Sequence, residues 1–133
     1  MLAVKSYDNR EVEACRARIG AMLAAWRAIP PSEASAAFEP HCFNQMAIAL
    51  DGSFQHRMRG HEGKDGNPLN EVRMLAASLS GAGAGRLAAD ATIKYEPAKS
   101  VLGLKFGDTI ALSADDFEKL AIAFLDEIMR RYP

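Results

Sequence analysis

The stretch SADDFEKLAIAFLDEIMRR, from Ser113 to Arg131, decides the fold. Its apolar residues are spaced three and four apart, which predicts a helix with one buried face. Those residues are Phe117, Leu120, Ala121, Phe124, Leu125 and Ile128. Ser113 can cap the first turn, and the acids after it and the arginines at the end suit the helix dipole. A helix with one apolar face must bury that face, so we expect other helices to pack against it and complete the core.

Two longer segments upstream show the same period. The first runs from about Asp8 to Ile29 and ends at Pro30, because proline has no N–H and restricts the residue before it. Its inward positions are Val12, Cys15, Ile19, Leu23 and Trp26. The second begins near Ser35 or Pro40 and continues to about Arg59. Its inward positions are Phe43, Ala47, Leu50, Phe54 and Met58. Gly52 in this helix predicts the close approach of a neighbouring helix.

A short third helix is marked by Asn67 as N-cap and Pro68 at the first helical position. Its inward residues are Leu69, Val72, Leu75, Ala76 and Leu79, and Gly81 predicts its end. The glycines that follow, GAGAG over residues 81–85, form a connector. A phosphate-binding glycine loop would follow a strand and open a helix, and would carry a lysine.

The helical spacing of apolar residues is absent from residues 92–112, where the sequence pattern changes. The pieces TIKY and VLGLKFGDTIAL are rich in β-branched and aromatic residues, and Gly107-Asp108 suits a two-residue hairpin turn. The alternative is an extended arm of irregular loops. We therefore predict one mostly α domain over residues 1–133: a four-helix bundle-like fold with a small β-hairpin insertion before the last helix.

The charge and the apolar content of the chain argue against two classes of function, nucleic-acid binding and membrane spanning. The chain has 133 residues and a net charge of −1, and its pI of about 6.3 argues against nucleic-acid binding. No apolar run is long enough for a membrane span, and the N-terminus shows no secretory signal, so we expect a cytoplasmic protein. Cys15 and Cys42 have no metal spacing, and we expect no cofactor.

The polar stretch HRMRGHEGKDGNPLNEVRML, residues 56–75, is the candidate site. Helix N-termini and pairs of basic side chains bind anions, so we expect a small anionic ligand here, such as a phosphorylated metabolite or a nucleotide. Arg57, Arg59, Lys64 and Arg73 would supply positive charge. Asn67 and Asn70 would orient the ligand, and His56 would donate a proton if a reaction takes place. Whether the protein is an enzyme is left open.

Two alternatives compete with this reading. In the first, the bend is a self-paired surface, with contacts such as Arg59 with Glu71, and the protein is a structural or interaction module. Such a module would form a homodimer without a small ligand. The alanines of the first helix favour it, because small residues permit close helix packing. The second alternative is a metal-dependent enzyme. Its candidate ligands are His41, His56, His61, Glu62 and Asp65, but the chain has no E-x-x-H or HExxH motif.

Two stretches resemble small bacterial proteins that have no assigned function. They are LDGSFQHRMRGHEGKDGNPLNEVRML, residues 50–75, and KSVLGLKFGDTIALSADDFEKLAIAFLDEI, residues 99–128. The resemblance covers roughly the C-terminal two-thirds of the chain and centres on EGKDGNPLNEVRML. It implies a bacterial, cytoplasmic setting and assigns no functional residue.

Overall fold

The structure is a computed structural model, and it describes residues 6–54, 57 and 59–133. Most of these residues lie in helices. The four longer helices of this part are α1 (Asn9–Arg27), α2 (Glu33–Ser53), α3 (Pro68–Ala77) and α4 (Ala114–Arg131). Shorter helical turns occupy Arg59–His61, Ser78–Ala82 and Pro97–Lys99. The prediction of a mostly helical, bundle-like fold is confirmed.

The helix starts follow the expected capping chemistry. Asp8 accepts a hydrogen bond from the backbone N–H of Arg10, and Asn67 accepts from those of Leu69 and Asn70. Ser113 and Asp116 form a reciprocal capping box at the start of α4. Each cap satisfies N–H groups that the helix itself leaves without partners.

The second helix begins within two residues of the earlier of its two predicted starts, but its predicted end near Arg59 is wrong. α2 begins at Glu33, capped by Ser32, and it includes Pro40 in its interior. It ends at Ser53 rather than near Arg59, because Phe54 leaves the helical conformation with φ −122° and ψ 77°. This turn sends the Phe54 ring into the core, where the side chain is 1% exposed.

The structural role predicted for Gly52 is also wrong. Gly52 is exposed, and a Cβ atom built on it would meet no described atom within 4 Å outside its own helix and its chain neighbours. No described neighbour therefore requires a glycine at this position.

α4 lies at the centre of the fold and packs against α1, α2 and α3. Every residue of its predicted inward stripe is buried. The rings of Phe43 and Phe117 lie 5.8 Å apart, and those of Phe54 and Phe124 lie 6.1 Å apart. Most of the other predicted inward residues are also buried. Ile19, Trp26 and Leu79 are half-buried, and Met58 lies outside the described residues.

The predicted β-hairpin is not supported, because residues 92–112, all described, contain no strand. Gly107-Asp108 does form a turn, in which the N–H of Asp108 donates to the carbonyl of Lys105 at 3.0 Å. The chain around this turn pairs with residues 85–87 and not with a second hairpin strand. The N–H of Gly107 donates to the carbonyl of Leu87, and that of Ile110 donates to the carbonyl of Gly85, the last residue of the GAGAG connector.

Candidate functional site

Glu62 is the centre of the bend between α2 and α3, and it is 1% exposed. Its carboxylate accepts hydrogen bonds from Arg57 Nε at 3.0 Å, Arg73 Nη2 at 2.8 Å and the Tyr132 hydroxyl at 2.8 Å. Hydrogen bonds to charged groups are among the strongest in proteins. The bend therefore encloses an internal anion, with two arginines already bound to it.

Arg57 is almost fully enclosed, with 4% of its side chain exposed. Besides Glu62 it binds Asp51 Oδ1 at 3.0 Å, and its guanidinium lies 5.3 Å from the centre of the Phe124 ring. Its Nη1 donates to the carbonyl oxygens of Asp51 at 3.2 Å and Phe54 at 3.4 Å. These bonds satisfy carbonyls near the end of α2. Arg57 thus caps α2 and leaves little surface for a ligand.

The surroundings of the cluster favour the charged forms of Glu62 and Arg57 and the neutral form of Tyr132. Burial opposes ionisation of Glu62, but the hydrogen bond from Arg73 and the charge of Arg57 outweigh it, so the Glu62 pKa lies below its usual value. Burial also opposes the charge of Arg57, and Glu62 and Asp51 outweigh it and raise the Arg57 pKa. Burial and the neighbouring Glu62 carboxylate raise the pKa of Tyr132, which stays a neutral donor.

The two asparagines of the predicted site hold the loop in place. Beyond capping α3, the Asn67 amide donates to the carbonyl of Glu62 and to Asp65 Oδ1. The Asn70 amide donates to the carbonyls of Gly63 at 3.3 Å and Asp65 at 2.8 Å. Both side chains are buried. Their donors are directed at the backbone of residues 62–65.

The remaining predicted residues differ in exposure. Lys64 is exposed, and its side chain makes no ion pair with another described residue. Arg73 is 23% exposed, and its buried Nε has no hydrogen-bond partner within the described part of the chain. His56 lies outside the described residues, as does the side chain of Arg59. Arg57, Asn67, Asn70 and Arg73 are thus brought together, with Glu62 and its loop between them.

Sequence reasoning did not identify the roles of Glu62, Glu71 and Tyr132. Glu71, which we expected to pair with Arg59, accepts the backbone N–H groups of Val101 at 2.8 Å and Leu102 at 3.1 Å. Tyr132 lies 70 positions from Glu62. No local pattern predicts so distant a contact. The position of Glu62 between two arginines that flank the bend was the one available signal.

Two apolar depressions lie on either side of α1. A groove of about 350 Å³ separates α1 from α4, and a cavity of about 150 Å³ lies between α1 and α2.

Among the described residues, no three His, Cys, Asp or Glu side chains are placed to hold a metal ion. Those residues also include no helix with the length and apolar character that a membrane crossing requires.

Comparisons with known proteins give no relative from which a function could be carried over. No protein-family model, no curated protein and no solved structure matches the chain. The assignment of function therefore rests on the geometry alone.

Proposed function

We propose that this protein is an interaction module that forms a homodimer through the outer face of α1, with no small ligand at the bend. The observation that carries the proposal is the exposed outer face of α1, defined by Ala14, Ala17, Ala21 and Ala24. These alanines are spaced three and four residues apart, which is the repeat of a helix that packs along a second helix. Small side chains allow two helix axes to approach closely.

The outer face is separate from the buried side of the same helix. Val12, Cys15 and Leu23 turn toward the core. At 3.6 residues per turn, the alanines lie on the opposite side of the helix. α1 therefore has two apolar faces, and the fold covers one of them.

The charged residues at the two ends of the outer face are paired within one copy. Arg16 binds Glu13 at 3.5 Å, and Arg27 binds Asp115 at 2.8 Å and Glu118 at 3.2 Å. Such exposed pairs contribute little to stability. Contact between the two copies therefore rests on the alanines between these pairs.

The groove between α1 and α4 is a second apolar surface, on the α4 side of α1. Its apolar lining consists of Ile19, Gly20, Leu23, Ala121, Ile122 and Leu125. Ile122 is 50% exposed at its edge, and Arg16 binds Asp126 at 3.2 Å nearby. Depletion of charge at the centre with charge at the rim is typical of protein interfaces.

The self-paired bend supports the same proposal. An anionic ligand bound by Arg57 and Arg73 would compete with Glu62, which already holds both guanidinium groups. Anion binding at the bend stays a prediction, and a phosphorylated ligand would have to use Lys64 and groups beyond the described residues. The two free cysteines suit the cytoplasmic setting that we include in the proposal. The bacterial setting, also part of the proposal, rests on the resemblance of two stretches to small bacterial proteins.

Light scattering over a concentration series tests the proposal. We expect a mass of twice the 14.4 kDa of one chain at high concentration. Ala21→Arg places a long charged side chain at the middle of the outer face and should weaken dimerisation at least a hundredfold. Ala77→Arg is the matched control, because Ala77 is an exposed alanine on α3.

Two results would overturn the proposal. One is a monomer at every concentration; a thermal shift by phosphorylated metabolites or nucleotides that Arg73→Ala abolishes would then make the bend a ligand site. The other is a dimer that Ala21→Arg and Ala77→Arg affect equally, which would place the interface elsewhere.

A further inference from the structure

The cavity between α1 and α2 has the form of a small-molecule site. Its volume is about 150 Å³, and Phe117 of α4 contributes to its wall. Its buried part is lined by Cys15, Met46 and Leu50, and its lining includes the half-buried Ile19. Arg18, Met22, Ala49 and Ser53 also line it and are exposed, so the cavity is open to solvent on one side. Ligand sites are mostly apolar and carry few polar groups, which fix the orientation of the ligand. This cavity fits that description and contains no acidic residue.

Arg18 is the cationic group of the cavity, and it differs from the other arginines of α1. Arg10 binds Asp8, Arg16 binds Asp126, and Arg27 binds Asp115 and Glu118. Arg18 is exposed and makes no ion pair with another described residue. The Ser53 hydroxyl, by contrast, already donates to the carbonyl of Ala49 at 2.7 Å. A charged ligand group at this cavity must therefore be an anion held by Arg18.

The volume limits the apolar part of the ligand. A dry apolar cavity of about 150 Å³ in another protein holds benzene, a molecule of six carbons. Drug-sized ligands need pockets of roughly 300–1,000 Å³. The cavity can thus bury about as much of a ligand as a short aliphatic chain, and a larger ligand would extend from its open side into solvent.

From these observations we infer that the cavity binds a short unbranched monocarboxylic acid. Its aliphatic tail of about six to eight carbons lies against Ile19, Leu50 and Phe117, and its carboxylate binds the Arg18 guanidinium. The apolar part of the cavity lies on the α2 side of α1, whereas Arg18 lies one helical turn from Ala14 and Ala21, at the border of the outer face. The inference does not rest on the proposed dimer, because every residue of the site belongs to one copy.

Calorimetric titration of the whole protein with straight-chain acids of four, six, eight and ten carbons tests the site. Each buried CH₂ should lower Kd about fourfold, equivalent to about 0.8 kcal/mol, until the cavity is full. We expect the gain to stop near eight carbons. The matched alcohols should bind several-fold more weakly, because they lack the charge that Arg18 recognises.

Two variants separate the contributions of head and tail. Arg18→Gln should remove the difference between acid and alcohol and keep the dependence on chain length. Ala49→Leu enlarges a lining side chain and should abolish binding of both ligand types. Ala77→Leu, the same change on the exposed side of α3, should leave every Kd unchanged.

Three outcomes would refute the site. The first is no heat of binding for any acid at millimolar concentration. The second is binding that Ala49→Leu leaves intact, which would place the ligand elsewhere. The third is equal affinity for acids and alcohols in the unmodified protein, which would reflect apolar association without recognition of the carboxylate.

Discussion

The Tyr132 hydroxyl donates to Glu62 Oε2 at 2.8 Å and so joins the end of α4 to the bend between α2 and α3. The Tyr132 ring is itself 1% exposed and lies 5.5 Å from the ring of Tyr7. The His61 ring stacks on the Tyr132 ring, with their centres 5.5 Å apart. One side chain therefore connects the segment before α1, the bend and the last helix.

Replacing Glu62 should cost more stability than replacing Tyr132. Glu62→Gln leaves Arg73 without its counter-charge and Arg57 with Asp51 alone, and breaking a buried ion pair costs about 3–5 kcal/mol. Tyr132→Phe removes one hydrogen bond to a charged group and should cost about 1.5–3 kcal/mol. Urea denaturation gives the free energy of unfolding of each variant. Equal stability of Glu62→Gln and the unmodified protein would contradict the network.

Stability should fall in acid because of the same carboxylate. The Glu62 pKa is lowered in the folded protein, so the unfolded chain binds a proton at higher pH than the folded one does. The stabilisation by Glu62 is present above the unfolded pKa of about 4.3 and is lost as the pH falls through the folded pKa.

The control for this pH dependence is the Glu62→Gln variant. Its free energy of unfolding should change less between pH 7 and pH 3 than that of the unmodified protein. Some dependence should remain, because Arg130 and Arg131 hold the pKa of Glu127 below its usual value against the effect of burial. A variant with an unchanged pH profile would argue against a lowered Glu62 pKa.

Glu71 should control the order of the loop that replaces the expected hairpin. Its carboxylate binds the backbone N–H groups of Val101 and Leu102, and both oxygens take part. Glu71→Ala should therefore increase the hydrogen-exchange rates of these two amides, with little change in the amides of α4. Glu96→Ala is the control, since Glu96 pairs with Lys99 at the surface. Uniform acceleration across the chain would indicate global destabilisation instead.

Replacing Gly52 and replacing Gly83 by alanine should change the stability of the protein in opposite directions. Gly52→Ala should stabilise the protein by about 0.5–1 kcal/mol, because alanine favours the helix and no described neighbour fills the space. Gly83→Ala should destabilise it, since the added Cβ would overlap the carbonyl oxygen of Arg86. Thermal unfolding of the two variants measures the difference. A destabilising Gly52→Ala would mean that a close neighbour does occupy that side.

The parts of the fold that depend on local chemistry were predictable. Asn67 followed by Pro68 located the start of α3, and Ser113 located that of α4. These signals act over three or four residues, as capping does. The inward stripe of α4 followed from periodicity alone.

The errors arose where distant residues decide the structure. α2 ends at Ser53 because Phe54 enters the core and Arg57 turns back to the carbonyls near the helix end. The segment after Thr92 forms no hairpin because Glu71 and the connector near Gly85 bind its amides. In the candidate site, the charges were visible in the sequence. Their pairing with Glu62 depended on how α2, α3 and α4 cross.

The Glu62 cluster also bears on the order of folding. Its members are residues 51, 57, 62, 73 and 132, and all but the last are close in sequence. α2, the bend and α3 can collapse early, because short loops close at little entropic cost. The hydroxyl of Tyr132 can arrive only when α4 docks. Until then water can reach Glu62 and its arginines, so exclusion of water from these charges is a late step that marks completion of the native fold.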